Sequence, residues 1–185
     1  MIHTTHYDSP IGRFLLAARG NALTGLWIEG QKYFPDSFKE EEMTEREGCQ
    51  VLKDTKTWLD RYFAGEKPSI QELPLKPEGS DFRRQVWDIL CRIPYGQVTT
   101  YKEISKKIAD ANGLDHMSAQ AVGGAVGHNP ISVIIPCHRV MGTDGSLTGY
   151  AGGIDRKIKL LTLEGVDMGR LFVPGEKAAA IYRVS

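Results

Sequence analysis

Hydrophobic positions change their period twice along this chain, and each change predicts a different kind of element. Over residues 3–28 the apolar residues come in short runs separated by turn residues. Phe14-Leu15-Leu16-Ala17-Ala18 is one run, Arg19-Gly20-Asn21-Ala22 interrupts it, and Leu23, Leu26 and Ile28 resume it. Runs of this length between Gly/Asn turns predict β-strands joined by tight connections. An earlier turn falls at Tyr7-Asp8-Ser9-Pro10-Ile11-Gly12. Residues 31–47 are polar and acidic and predict a loop or a frayed helix. From Cys49 to Phe63 the period lengthens: Leu52, Leu59 and Phe63, with Val51, Trp58 and Tyr62 beside them, share one helical face. Gly65 ends that helix. Residues 69–75 predict a short strand among Pro68, Pro74 and Pro77.

The segment Pro74-Leu75-Lys76-Pro77-Glu78-Gly79 predicts a boundary between a domain over residues 1–75 and a second over 80–167. Residues 76–79 are then a linker, and 168–185 a tail that reads as weakly ordered from Phe172-Val173-Pro174 onward. Ser80 or Asp81 caps the next helix, whose stripe is Phe82, Val86, Ile89 or Leu90, and Ile93. After the Pro94-Tyr95-Gly96 turn, Thr100 and Glu103 fit a capping box, with Tyr101 in the first turn of a short helix. Asn112-Gly113 stops it. A second short helix runs over residues 116–126, stopped by Gly127 and Pro130. Two short helices around a Gly-containing turn suggest a helix-turn-helix, although most such pairs are only packed helices. The second one contains Gly123 and Gly124, each about 1 kcal/mol worse than alanine inside a helix. One of its surfaces is therefore nearly bare. That suits either close packing on a neighbour or entry into a groove as narrow as the DNA minor groove, about 6 Å wide. A final helix spans residues 154–163, with Ile154, Ile158 and Leu161 inward and Arg156, Lys157 and Lys159 exposed, by default as solvated helix charges and otherwise as phosphate contacts.

Composition narrows the class. The chain has 185 residues and 41% hydrophobic content, enough for a substantial core. Lys+Arg and Asp+Glu both number 23, so net charge gives no pointer to nucleic acid, and only a local basic patch would. Three widely spaced cysteines, Cys49, Cys91 and Cys137, predict free thiols in a reducing compartment. The first residues lack a signal-peptide pattern, and no apolar run approaches the roughly 20 residues that span a bilayer. The expectation is a soluble cytoplasmic protein.

Candidate chemistry centres on Ile134-Ile135-Pro136-Cys137-His138-Arg139-Val140. A strand-like apolar run stops at proline, and cysteine and histidine follow at once. Gly142-Thr143-Asp144-Gly145 and Gly149-Tyr150-Ala151-Gly152-Gly153 come next. Most intracellular cysteines are small buried hydrophobes, but a core strand has no use for the His-Arg pair beside this one. The pattern predicts a held, activated thiol. Adjacent side chains on an extended chain point to opposite faces, so a Cys137–His138 partnership requires a turn or a bridging water. A carboxylate must orient the imidazole, and Glu164, Asp144 and Asp155 all qualify by spacing. Cys137-His138 lacks the gap of a zinc knuckle, and nothing brings His3, His6 and Cys49 together. No metal or cofactor is expected. Cys49 and Cys91 fall in helical patterns as packing residues, and His116 and His128 flank the slim helix, either in solvent or in weak contact with a ligand.

Pro136-Cys137-His138-Arg139-Val140 resembles the active-site signature of the O6-alkylguanine-DNA alkyltransferases, the methylated-DNA–protein-cysteine methyltransferases. Four more stretches resemble the same family in the same order: Phe82-Arg83-Arg84-Gln85-Val86-Trp87; Ile93-Pro94-Tyr95-Gly96 through Thr100-Tyr101; Ala121-Val122-Gly123-Gly124-Ala125 with Asn129-Pro130; and the Gly149–Gly153 loop with Leu163-Glu164-Gly165. The resemblance implies an α+β fold. A small ribonuclease H-like β-sheet and helix domain precedes a mainly helical domain with a helix-turn-helix of winged-helix type. It implies a monomer that repairs double-stranded DNA by direct reversal, moving the alkyl group of O6-alkylguanine, with O4-alkylthymine a second candidate, irreversibly to Cys137.

In that scheme His138 activates Cys137 through water, Glu164 orients His138, and Tyr101 bonds N3 of the flipped base. The carbonyls of Cys137 and Val140 read its exocyclic amine, backbone near Ala151 meets O6, Tyr150 walls the pocket, and Asn129 ties the slim helix to the active-site turn. Ala119, Gln120, Ala121, Gly123 and Arg139 are implied at the DNA. Two positions depart from the family. Gln120 stands where arginine is usual, which removes a charge from the group that fills the gap in the stack, and Ala151 stands where some relatives have serine. Two other classes fit the same residues: a cysteine hydrolase using Cys137, His138 and Glu164, and a DNA-binding module whose thiol is incidental or redox-sensing.

Overall fold

The computed structural model describes residues 1–32 and 43–175. It divides into two compact units, Met1–Gly79 with Asn129–Ile135, and Ser80–His128 with Pro136–Ser185.

The first unit is a four-stranded sheet and one helix. Strands β1 (Ile2–Ser9), β2 (Gly12–Arg19) and β3 (Ala22–Ile28) form an antiparallel meander, and β4 (Met43–Glu45) adds to β1 in parallel. The order is β3-β2-β1-β4. Residues 14–18 of β2 are buried at every position, which explains why the sequence shows a continuous apolar run and no alternation. Leu15 and Ala17 pack with Ile2 and Trp27, while Phe14 meets Phe63 of helix α1 (Gln50–Phe63), ring centroids 6.2 Å apart. Alternation marks a half-buried strand, and a strand covered on both faces loses it. At Gly25 a Cβ would lie 1.9 Å from the Trp27 ring, so glycine there makes room for the indole.

Three expectations change. Residues 43–45 form a strand, not a loop, and the rest of that polar stretch, 33–42, lies outside the described residues. Residues 69–75 are not a strand: Ser69 and Glu72 close a capping box around a 3-10 turn, Ile70–Glu72, and only Leu75 bridges to Leu23. The apolar run 131–135 is not a strand either. Ile131 bridges to Leu26, and the chain then coils tightly, Ile134 N–H bonding Ser132 O at 2.8 Å with Val133 at φ +70°. A β-branched residue rarely takes positive φ, and such outliers, costing about 1–3 kcal/mol, cluster at functional sites. The Asn129 amide fastens this coil, donating to Ile135 O at 2.7 Å and accepting from Ile131 N–H at 3.0 Å.

The second unit is mainly helical. Helix α2 (Asp81–Leu90) is capped by Ser80 and buries Val86, Trp87 and Leu90. Strand β5 (Thr99–Thr100) leads into α3 (Tyr101–Ala111), and Ser118 caps α4 (Ala119–Gly127). Thr100 does cap α3, but the Glu103 carboxylate takes the Thr99 hydroxyl at 2.5 Å. Val122, Ala125 and Val126 are the buried face of α4, and the Trp87 indole donates to Ala125 O at 2.8 Å, tying α2 to α4. Strand β6 (Val140–Met141) pairs in parallel with β5, and α5 (Ile154–Leu163) completes the unit. Met141, Leu147, Leu161 and Leu171 form a core under Ile158, Val166, Met168 and Val173. Val173, expected to be weakly ordered, packs against that core beside Leu171. Leu147 N–H reaches Phe172 O at 2.8 Å, and Phe172 N–H reaches Gly145 O at 3.2 Å. Residues 176–185 lie outside the described residues.

Candidate active site

The turn that the thiol chemistry requires is present. Cys137–Arg139 is a single 3-10 turn, following Pro136 and leading into β6. Curling the chain here turns three consecutive side chains inward: Cys137 is 6% exposed, His138 0% and Arg139 8%. Glu164 sits one residue past α5, so that helix carries its carboxylate beneath the turn. His138 Nε2 lies 2.5 Å from Glu164 Oε2. Arg139 Nε donates to Glu164 Oε1 at 2.7 Å, and Gly96 N–H donates to the same oxygen at 3.2 Å. Arg139 Nη1 also donates to Ile93 O at 2.6 Å, and its guanidinium lies over the Tyr95 ring, 5.8 Å from the centroid.

This geometry chooses among the three candidate carboxylates. Asp144 is exposed and caps Ser146 N–H at 3.1 Å, and Asp155 is exposed in the first turn of α5. Burial alone would raise the pKa of Glu164, but its hydrogen bond with His138, then the hydrogen bond and charge of Arg139, hold the carboxyl well below the usual range. Burial lowers His138, against the pull of Glu164. The pair is therefore a neutral imidazole on an ionised carboxylate. With Nε2–H given to Glu164, Nδ1 is left as the basic nitrogen, and it is buried with no protein partner.

Tyr101 Oη donates to Thr148 O at 3.1 Å. Burial first, and the charge of Cys137 second, push its phenol up to about 12. Gly149 allows this approach: its φ is +77°, and a Cβ there would lie 2.8 Å from Tyr101 Oη. Tyr150 is 8% exposed, its ring edge-on to His138 at 6.5 Å, and burial raises its pKa strongly. Val140 and Asn129 are buried, and Ala151 is half-buried. On α4, Ala119, Gln120 and Ala121 are exposed. The two glycines separate in role: a Cβ on Gly124 would meet nothing within 4 Å, whereas one on Gly123 would touch the Tyr101 ring at 4.0 Å. Gly124 leaves the helix surface bare, and Gly123 faces the tyrosine at a distance where a methyl would make ordinary contact.

Two basic side chains depart from expectation. Arg139, assigned above to DNA, has its guanidinium turned inward onto Glu164 and Ile93 O. Lys157, read as exposed, is 0% exposed. Its ammonium donates to Val140 O and, at 3.1 Å, to Thr148 O. Burial lowers it to about 8, against the pull of the Cys137 charge. The signal for it lies in the sequence: Lys157 falls three residues after Ile154 and four before Leu161, on the apolar stripe itself.

A thiol at a tight turn, beside an imidazole whose far nitrogen is fixed by a doubly anchored carboxylate, defines a protein whose reaction runs through one activated cysteine. Comparison with known proteins makes the assignment specific. Residues 2–77 match the ribonuclease-like domain of 6-O-methylguanine DNA methyltransferase, and residues 81–166 match the DNA binding domain of the same enzyme. The methylated-DNA–protein-cysteine methyltransferase of Haemophilus influenzae is 39% identical, covering 88% of this chain and 86% of its own. That of Mycobacterium bovis is 44% identical, covering 89% and 93%. The crystal structure of Mycobacterium tuberculosis OGT in complex with DNA superimposes with a TM-score of 0.75 at 44% identity, covering 88% of this chain and 93% of that one. The chain belongs to the 6-O-methylguanine DNA methyltransferase family.

Proposed function

We propose that this chain repairs alkylated DNA by direct reversal, with Cys137 as the permanent acceptor of the alkyl group on guanine O6. The observation that carries this reading is the buried Cys137 turn with its His138–Glu164–Arg139 chain. His138 Nδ1 takes the thiol proton through a water. The thiolate attacks the alkyl carbon, a C–S bond forms, and the C–O6 bond breaks with its electrons remaining on the base. The proton lost by the thiol is returned to the base through Tyr101 at N3, so guanine leaves neutral. The product is a thioether, with no acyl bond for water to cleave. Each molecule therefore reacts once, and the extra methyl in a packed site costs the product about 1–3 kcal/mol.

The base must leave the stack to reach a thiol this buried. Helices α3 and α4 act as the helix-turn-helix, with the exposed Ala119, Gln120 and Ala121 edge of α4 in the minor groove and Gln120 filling the gap. The carbonyls of Cys137 and Val140 accept from the exocyclic amine, backbone at Ala151 meets O6, Tyr150 walls the site, and Asn129 holds the coil that precedes the thiol.

Incubation with a duplex carrying O6-methylguanine, followed by mass spectrometry of the protein, tests this. The expected result is one methyl per chain, located on Cys137 and absent in Cys137→Ala. Multiple turnovers on an ester or amide with return of the free thiol would instead identify a cysteine hydrolase. Unchanged mass with tight DNA binding would identify a binding module.

A further inference from the structure

Lys157 has no part in the transfer just described, yet it is among the largest fully buried side chains in the protein. Burying an ammonium is expensive unless hydrogen bonds replace its water. Lys157 meets that cost with two backbone carbonyls from the segment that follows the thiol turn, one and nine residues beyond it. Val140 opens β6 immediately after Cys137–Arg139. Thr148 precedes the Gly149-Tyr150-Ala151 stretch, and its carbonyl oxygen also accepts from Tyr101. One cation on α5 thus joins the strand leaving the nucleophile, the loop carrying Tyr150, and the carbonyl on which the Tyr101 hydroxyl rests before it turns to a base. A carbonyl oxygen has two lone pairs, so Val140 O can hold Lys157 and still accept from a base.

We propose that Lys157 is a positioning residue for alkyl transfer, whose ammonium fixes the Val140 and Thr148 carbonyls and thereby sets selectivity for a purine bearing a 2-amino group. This rests on the reading that Val140 O faces that amine. The ammonium touches neither thiol nor base in this scheme and acts through the two carbonyls. It also places a positive charge where the thiolate forms, in the same direction as its interaction with Cys137.

The test uses full-length Lys157→Met and Lys157→Gln, with two duplexes: O6-methylguanine, and O6-methylhypoxanthine, which lacks the 2-amino group. Methionine is a close volume match and leaves no uncompensated buried charge, but it takes the donor from two carbonyls, a destabilising loss. Lys157→Met should therefore keep its far-ultraviolet spectrum and fold cooperatively, with a melting temperature lowered by a few degrees, and rates are compared per folded molecule. Single-turnover transfer from O6-methylguanine should fall by about 10- to 100-fold, the range a small misplacement of reacting groups produces. The rate ratio between the two duplexes should fall toward one, and binding of undamaged duplex should not change. Lys157→Gln, which can donate to one carbonyl, should lie between.

Wild-type protein with no preference for the 2-amino base would sink the Val140 reading and leave alkyl transfer itself standing. A clear wild-type preference that survives undiminished in a folded Lys157 variant would overturn the role of the lysine. Failure of both variants to fold would assign Lys157 to stability alone and overturn it equally.

Discussion

Replacing Glu164 by glutamine removes one charge without changing shape, and three donors record the consequence. His138 Nε2, Arg139 Nε and Gly96 N–H converge on the carboxylate at 2.5, 2.7 and 3.2 Å. An amide offers one acceptor oxygen and one NH2 group, so one of the two side-chain partners must face a donor. With the NH2 toward Arg139, a buried guanidinium loses its counter-ion. Breaking a buried pair from one side costs about 3–5 kcal/mol. With the NH2 toward His138, Nε2 must become the acceptor and the ring proton moves to Nδ1. The nitrogen that should take the thiol proton then already carries one. The same tautomer error in serine proteases lowers turnover by about 10⁴.

We expect Glu164→Gln to lower single-turnover methyl transfer by about 10²- to 10⁴-fold, roughly 3–5 kcal/mol of barrier at 1.36 kcal/mol per tenfold. Rapid-quench mass spectrometry of Cys137 measures this, with thermal unfolding run in parallel. A folded variant that transfers within about threefold of the parent, a difference under 1 kcal/mol, would show that the carboxylate does not set the imidazole tautomer.

Acid should destabilise the protein in two steps. His138 has a folded pKa below 6.5, so the unfolded chain binds the extra proton and stability declines as pH drops through and below that value. Glu164 is depressed from 4.5, so its contribution is complete above that pH and is lost as pH falls toward its folded value. Melting temperature against pH should show both legs, and Glu164→Gln should lack the lower one. Gly149→Ala places a methyl against the Tyr101 hydroxyl at φ +77°. It should cost about 1–2 kcal/mol from the left-handed backbone alone and slow transfer further, which melting and single-turnover rates will separate. Gln120→Arg restores a cation on the exposed edge of α4 and should tighten duplex binding. The log–log salt slope should steepen by about 0.9 if the guanidinium displaces one counter-ion, and an unchanged slope in a binding titration would remove Gln120 from the interface. Trp87→Phe strands the Ala125 carbonyl inside the helical unit. It should lower stability by about 1–3 kcal/mol while leaving the rate per folded molecule intact.

How far the sequence could carry the argument depended on the physics behind each feature. Helix α5 was legible to the residue, because Ile154, Ile158 and Leu161 repeat at helical spacing and Gly165 stops it. The turn at Cys137–Arg139 was legible because adjacent side chains on an extended chain cannot share a face. The coil over residues 131–135 was not: its apolar run reads as a strand, and what prevents one is the Asn129 side chain bonding forward to Ile131 and Ile135. A side chain that satisfies its own backbone neighbours leaves no periodicity to read.

The two misread cations fail for a related reason. Charge in a sequence is read as solvent exposure, since Lys and Arg are almost never fully buried unless paired. That rule holds its own exception, and here the exceptions converge on one place. Arg139 is buried with its guanidinium on Glu164, and Lys157 is buried with its ammonium on two carbonyls of the segment that follows the thiol. A cation on the apolar stripe of a helix, or next to a catalytic histidine, should therefore be read first as wiring of the site. Glu164 itself follows the same logic from the other side. Spacing leaves it level with Asp144 and Asp155, but of the three only Glu164, just past the C-terminal end of α5, is buried against an imidazole and a guanidinium at once.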